Sequence, residues 1–204
     1  MERKKSYYAT NPEVFGIYPA QIVKRLATVL RPGGRVLDLG AGQGRNGLWL
    51  AQQGFVVDAV DIDEEGVRQM QDRAQREGLT SFQARLAKAE ELELDANAYD
   101  GLCCINVLQF FSVEQAADLV QRLKTATIEG GYHSILVPLH VSEEILQRLG
   151  ARLWTEEELR GLYSDWSIEV CRTYPGMSTA KNAKGEQEPV EMINFLAKKL
   201  TVIE

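Results

Sequence analysis

The chain has 204 residues, of which 45% are hydrophobic and 25% charged, and its formal net charge is −6 at pH 7. This composition is typical of a globular protein with a sizeable core, and we expect residues 1–204 to form one domain. The acidic balance, without a concentrated basic stretch, argues against a nucleic-acid partner, and no apolar run approaches the length of a membrane span.

The N-terminus, Met1 to Tyr8, lacks the apolar stretch of a signal peptide, so we expect a cytoplasmic protein without a membrane partner. From there helices and strands alternate, as the spacing of apolar residues and the Gly and Pro breakers indicate. In chain order the predicted elements are a helix ending at 32, a strand over 35–39, a helix over 45–53, a strand over 55–60, a helix ending at 78, a strand over 82–86, a strand over 101–108, a helix over 112–127 and a strand over 132–137.

The order changes in the last third of the chain. A capping-box pattern predicts a short helix over 155–162, and a strand is expected over 167–172. The polar stretch 175–189 reads as a loop, and 190–197 as a final strand. Together these elements predict an α/β fold with an open, mostly parallel seven-stranded sheet, helices on both faces and an antiparallel edge hairpin.

Three cysteines, two of them adjacent, show neither disulfide nor metal-ligand spacing, so we expect reduced thiols and no metal site. The sequence does not distinguish a monomer from a homodimer.

The segment from Val36 to Asn46 is the most informative part of the chain. An apolar strand runs into three alternating glycines, Gly40, Gly42 and Gly44, and a helix follows. Glycines let the backbone turn tightly and approach a ligand, and the N–H groups of the next helix face the site. The pattern therefore predicts a site for a nucleoside cofactor.

Two cofactors fit this segment. Gly42 to Gly47 satisfies the G-x-G-x-x-G pattern of dinucleotide-binding proteins, which keeps an NAD-linked oxidoreductase as an alternative. However, Gly40 already occupies the strand end where that pattern should begin. The D-x-G-x-G-x-G spelling, with Asp38 ahead of Gly40, resembles motif I of the class I S-adenosylmethionine-dependent methyltransferases.

Acidic residues at two strand ends supply the next clue. Asp61 ends the second strand, where its side chain can accept hydrogen bonds from both ribose hydroxyls of either cofactor. S-adenosylmethionine also carries an ammonium group, for which Asp38 and the carbonyls around Gly40 and Ile105 are candidate acceptors. The structural alternatives are a loop-fixing carboxylate for Asp38 and a helix cap for Asp61.

The turn after the third strand, Ala87 to Leu92, corresponds to the adenine-binding turn of the same superfamily. Many members hold an Asp there, whereas Lys88 takes that position in this chain. The resemblance then assigns adenine recognition to the backbone at Ala89 and to Glu90. An exposed charged turn is the alternative.

Nearly the whole chain is similar to the tellurite-resistance methyltransferases and their small-molecule relatives. The similarity rests on the run from Gly40 to Asn46, its spacing to Asp61, the N-terminal Tyr8-Ala-Thr, the helix before Trp166 and the ending from Asn194. It implies that Arg45 contacts the cofactor and that Tyr8 belongs to an N-terminal lid formed by residues 1–18. Residues 19–204 then form the core. At the acceptor end Ser178-Thr-Ala-Lys-Asn182 replaces the histidine and basic residues of those relatives, which leaves the acceptor open.

The implied reaction is an in-line attack by a small-molecule acceptor on the sulfonium methyl, driven mainly by orientation and shielding from water. His140, just past the fifth strand, is the candidate base, or an exposed residue. A cofactor-binding protein without catalysis is the third functional alternative.

The full set of predicted site residues can now be stated. The cofactor set is Tyr8, Asp38, Gly40, Ala41, Gly42, Arg45, Asn46, Asp61, Ile62, Lys88, Ala89, Glu90, Ile105 and Asn106; His140 is the catalytic candidate, and Tyr18 and Phe110 are expected to contact the acceptor.

Overall fold

The computed structural model describes residues 8–9, 13–181 and 184–201. Within these ranges the chain forms seven strands, six α-helices and two short 3₁₀ helices. They are α1 (Gln21–Val29), β1 (Arg35–Leu39), α2 (Arg45–Gln52), β2 (Val56–Asp61), α3 (Glu64–Arg76), β3 (Phe82–Leu86), η1 (Ala89–Glu91), β4 (Tyr99–Ile105), η2 (Leu108–Phe110), α4 (Val113–Ala126), β5 (Thr127–His140), α5 (Glu143–Leu149), α6 (Glu156–Leu162), β6 (Ser167–Lys181) and β7 (Gln187–Lys198).

All seven strands belong to one sheet in the order β3-β2-β1-β4-β5-β7-β6. The first five strands pair in parallel, and β7 pairs antiparallel with both β5 and β6. The chain order reverses between β1 and β4, and in open α/β sheets ligands bind in the crevice outside the strand ends at such a point. The predicted fold class is thus confirmed.

Helices cover both faces of the sheet because strand side chains alternate between two apolar cores. Val36 and Cys103 pack with residues of α1, α2 and α3, whereas Leu37 and Cys104 pack with residues of α4 and α6. The two adjacent cysteines are therefore buried in opposite cores, and burial raises the pKa of both thiols.

The stretch 175–189 was predicted as a loop, and this prediction is wrong. β6 and β7 continue through Pro175 and Pro189 as a long hairpin. Proline removes a backbone donor, but it is tolerated where a strand has a free edge. β6 is an edge strand, and β5 pairs with β7 only as far as Glu191, so the end of the hairpin has free edges on both sides.

Two other differences concern the second half of the chain. Helix α5 was not predicted, and β5 is longer than expected because it begins at Thr127 and ends at His140. Among the described residues, no helix has the length and apolarity that crossing a membrane requires.

Candidate functional site

A cavity of about 730 Å³ runs along the carboxyl-terminal edge of the sheet. Its volume lies within the range of about 300–1,000 Å³ that is usual for small-molecule sites. One end is formed by the glycine loop after β1 and by the ends of β2 and β4, with Gly40, Asp61 and Asn106 in the wall.

The other end of the cavity is apolar, and we call it the apolar arm. It is built by η2, the end of β5, α5 and the far ends of β6 and β7. Its principal lining residues are Phe110, Pro138, Ile145, Tyr174, Met177 and Met192.

The glycine loop has no room for side chains. Gly40 has a φ of 67°, and a Cβ built on it would lie 2.2 Å from Cγ2 of Val107. Gly42 has a φ of 60°, and its Cβ would lie 2.8 Å from the Tyr8 hydroxyl oxygen. Left-handed backbone and close neighbours both require glycine at these positions. The loop backbone is thereby left bare towards the cavity.

The carboxylate of Asp61 fixes the glycine loop through a hydrogen bond to its backbone. Its Oδ2 accepts a hydrogen bond of 2.7 Å from the N–H of Gly42, and its Oδ1 accepts one of 2.8 Å from the N–H of Asp63. Burial raises the pKa of Asp61, and the two backbone donors oppose that rise. Because each carboxylate oxygen has a second lone pair, the side chain can accept further hydrogen bonds from a ligand.

Asp38 lies under the loop and does not line the cavity. It is 1% exposed, the N–H of Gly47 donates to its carboxylate, and its Oδ2 has no hydrogen-bond partner among the described residues. Burial raises the pKa of Asp38 to about 7, while the nearby Arg45 lowers it. Asp38 is therefore not a lining residue, and its contact with the cofactor's ammonium stays a prediction.

The turn at η1 lines the cavity next to the glycine loop. Lys88 turns aside to Glu91, with 2.6 Å between Nζ and Oε1. Arg122 donates to the carbonyl of Glu90 at 2.9 Å and so fixes the turn. Ala89 and Glu90 line the cavity beside Lys88.

The N-terminal segment lies across the glycine loop. The guanidinium of Arg45 donates to the carbonyl of Phe15 at 2.9 Å and lies 5.6 Å from the centre of its ring. The N–H of Val14 donates to Oε1 of Gln43 at 2.8 Å. Tyr8 and Phe15 both line the cavity. The remaining lid residues, 1–7 and 10–12, lie outside the described part of the chain.

Two residues predicted for the acceptor side do not line the cavity. His140 is exposed and does not line the cavity, because a β-bulge between Pro138 and His140 breaks the alternation of side chains along β5. Tyr18 is 75% exposed and also lies outside the lining. Phe110, in contrast, lines the cavity and is 52% exposed.

The structure thus brings most of the predicted residues to one cavity. Those that line it are Tyr8, Gly40, Ala41, Gly42, Arg45, Asn46, Asp61, Ile62, Lys88, Ala89, Glu90, Ile105, Asn106 and Phe110, and those that do not are Asp38, Tyr18 and His140.

Sequence reasoning missed several residues of the apolar arm. Met192 lies on β7, where its period-2 spacing from Val190 was a readable signal of one shared face. Tyr174 gave no comparable signal, and Met177 lay in a predicted loop. Among the described residues, no cluster of three or more His, Cys, Asp or Glu side chains is arranged to hold a metal ion.

Comparison with known proteins identifies the family to which the chain belongs. The family model described as "Tellurite resistance protein TehB" matches residues 1–186. The Haemophilus influenzae protein (strain ATCC 51907) named "Probable S-adenosyl-L-methionine-dependent methyltransferase TehB" is 26% identical over 165 residues, covering 81% of this chain and 57% of that protein. The crystal structure of TehB from Haemophilus influenzae has a TM-score of 0.76 at 23% identity, covering 95% of this chain and 66% of that one.

Two further relatives are similar. "Hemagglutinin 1" of Eikenella corrodens is 28% identical over 169 residues, covering 81% of this chain and 54% of that protein. Magnesium-protoporphyrin O-methyltransferase of Synechocystis is 33% identical over 161 residues, covering 74% of this chain and 68% of that protein. A crystal structure of magnesium protoporphyrin IX methyltransferase from Synechocystis, with bound SAH, has a TM-score of 0.66 at 22% identity, covering 87% of this chain and 79% of that one.

The chain spans a little over half the length of two of these relatives, 54% of Hemagglutinin 1 and 57% of the Haemophilus protein. The predicted family is confirmed by the match over residues 1–186, and the chain belongs to the TehB family, a branch of the class I S-adenosylmethionine-dependent methyltransferases.

Proposed function

We propose that the protein transfers a methyl group from S-adenosylmethionine to a small-molecule acceptor. The observation that carries this proposal is the continuity of the cavity, in which the glycine loop and Asp61 share one space with the apolar arm. A cofactor at the first end and an acceptor at the second would therefore meet.

The residues at the glycine-loop end fit S-adenosylmethionine. The bare backbone at Gly40 and Gly42 lets a ligand approach closely, and the spare lone pairs of Asp61 suit the two ribose hydroxyls. We assign the adenine to the backbone of Ala89 and Glu90 and to the exposed apolar side chain of Ile62.

Two further assignments concern the amino-acid part of the cofactor and the lid. We assign the cofactor's carboxylate to Arg45, because Lys88, the other cation of the described lining, pairs with Glu91. Asn106 lines the wall at the end of β4. The segment containing Tyr8 and Phe15 acts as a lid that excludes water, and it belongs to the same domain as the core.

When bound, S-adenosylmethionine would supply a methyl group activated by its positive sulfur. Transfer to the acceptor's nucleophile would leave the electrons of the carbon–sulfur bond on sulfur and release the acceptor's proton to solvent. The chain contributes orientation of the acceptor and a wall that keeps water away. The described lining contains no histidine, so we assign no general base.

Calorimetry of the purified protein with S-adenosylhomocysteine and with NAD tests the cofactor. We expect binding of S-adenosylhomocysteine and none of NAD; the reverse result would contradict the proposal and favour an oxidoreductase. Release of S-adenosylhomocysteine in the presence of a panel of acceptors then separates an enzyme from a binding protein without catalysis.

A further inference from the structure

The apolar arm differs chemically from the rest of the cavity. The charged side chains among the described lining residues are Arg45, Asp61, Asp63, Lys88 and Glu90, and all of them belong to the N-terminal half of the chain at the glycine-loop end. The described lining residues that η2, β5, α5, β6 and β7 contribute are all uncharged. The two ends of the cavity are therefore built for different chemistry.

Apolar side chains in the arm remain open to solvent although they lie in a concave wall. Phe110 is 52% exposed, Met177 57% and Tyr174 37%. Isolated exposed apolar residues are ordinary, but a contiguous set in a cleft is typical of a site that an apolar ligand covers. Each side chain that such a ligand removes from water adds favourable burial energy.

One wall of the arm is formed by closely packed apolar side chains. Ile145 of α5 is buried in a small cluster with Val141 and Val190, and Met192 packs against this cluster. Helix α5 and the far end of the hairpin therefore form a packed wall, which gives the arm a defined shape before any ligand enters.

An anion in the arm would lack a counter-charge among the described residues. Arg45 is the cation in the described lining that interacts electrostatically with the arm, through Tyr174. Its guanidinium also contacts the carbonyl and ring of Phe15, and under the proposed function its charge is matched by the cofactor's carboxylate. Burying a charge without a partner is strongly unfavourable, whereas burying an apolar group is favourable.

We infer that the acceptor is an uncharged, largely apolar small molecule held in the apolar arm, and that an inorganic oxyanion is not its ligand. That the bound molecule is a methyl acceptor rests on the proposed function. The binding preference of the arm can be measured without the cofactor.

The test is a matched pair of ligands, 2-naphthol and 6-hydroxy-2-naphthoate, which differ by one carboxylate. Calorimetry is carried out on the full chain with and without saturating S-adenosylhomocysteine, and tellurite is titrated as a third ligand. We expect 2-naphthol to bind at least about tenfold more tightly than the naphthoate, since about 1.4 kcal/mol corresponds to tenfold. We expect no binding of tellurite.

Three variants test whether the ligands bind in the apolar arm. Met177→Lys, which adds a cation to the arm, should narrow or reverse the preference for 2-naphthol, while Met177→Gln should preserve it. Leu86→Lys makes the same change at a residue that is 54% exposed and outside the lining, and should leave the preference unchanged. Circular dichroism and thermal melting show which variants are folded, and the ligand pair on the unaltered chain is a test that needs no variant.

Equal or tighter binding of the naphthoate or of tellurite by the unaltered chain would overturn the inference. It would leave the proposed function intact if S-adenosylhomocysteine still bound. If the unaltered chain prefers 2-naphthol but does not bind S-adenosylhomocysteine, the cofactor assignment is overturned and the inference about the arm is supported.

Discussion

The N–H of Gly42 donates a hydrogen bond of 2.7 Å to Oδ2 of Asp61, and this bond ties the loop after β1 to the end of β2. Asp61 is only 8% exposed and lines the cavity, so the carboxylate that shapes the loop also faces a ligand. The position of the loop and the binding of a ribose are therefore coupled through one side chain.

Removal of this carboxylate should weaken cofactor binding. We expect Asp61→Ala to lower the affinity for S-adenosylhomocysteine by about 5- to 150-fold, equivalent to about 1 to 3 kcal/mol, because it leaves hydrogen-bonding groups unpaired. Calorimetry measures the change. Asp118→Ala is the control, since Asp118 is an exposed carboxylate of α4 outside the cavity lining. An unchanged affinity for Asp61→Ala would remove Asp61 from the ribose role.

Two glycines with similar backbone separate strain from lack of space. Gly40 has a φ of 67° and Gly54 a φ of 90°, but only a Cβ on Gly40 would meet other atoms within 4 Å. Left-handed backbone costs a non-glycine residue about 1 to 3 kcal/mol, so Gly54→Ala should lower the free energy of unfolding by about that amount. Gly40→Ala should cost more and should also weaken binding of S-adenosylhomocysteine.

Urea denaturation and calorimetry of both glycine variants give these two quantities. Equal losses of stability, together with unchanged binding by Gly40→Ala, would show that the contact with Val107 does not shape the loop.

The glycine-loop end of the site could be predicted from the sequence because its signals are local. Gly40 and Gly42 lie in the loop after β1 and Asp61 ends β2, and parallel strands bring their carboxyl ends to one edge. Their positions in the sequence were enough to predict that they line one cavity. Asp38, two residues before Gly40, is buried and does not line it.

The apolar arm could not be predicted from the sequence, because the positions of its lining residues depend on tertiary contacts. Pro175 and Pro189 lie in strands only because the hairpin has free edges, and the bulge that turns His140 away is set by pairing with β7. Helix α5 did carry readable signals, with Ile145 and Leu149 at helical spacing and Gly150 as a left-handed C-cap.

A buried histidine should make stability sensitive to acid. His133 lies between Oγ1 of Thr127 at 2.8 Å and the hydroxyl of Tyr163 at 2.7 Å, and burial, with Lys124 and Lys199 nearby, lowers its pKa to about 3. Between about pH 3 and 6.5 the unfolded chain binds a proton at this residue that the native chain does not. The free energy of unfolding therefore falls as the pH decreases, by up to about 1.4 kcal/mol per pH unit.

The variant that isolates this effect is His133→Gln. The stability advantage of the unaltered chain over this variant should shrink by about 2 kcal/mol between pH 6.5 and pH 5, as measured by urea denaturation. His140→Gln, at an exposed histidine, is the control. An advantage that stays constant across these two pH values would contradict the burial of a neutral His133.

Asp38 should give a pH dependence of the opposite sign. Burial raises the pKa of Asp38 to about 7, well above the value near 3.8 of an exposed carboxyl, so between these values the native chain holds a proton that the unfolded chain has lost. Stability from this group is present in acid and is lost as the pH rises towards 7, by up to about 1.4 kcal/mol per pH unit. Asp38→Asn keeps the shape and removes the titration, so the advantage of the unaltered chain over it should decrease from pH 5 to pH 7 in urea denaturation. Asp118→Asn, at an exposed carboxylate of α4, is the control. An advantage that stays constant from pH 5 to pH 7 would mean that Asp38 is already ionised in the native chain, with Arg45 as the cation that lowers its pKa.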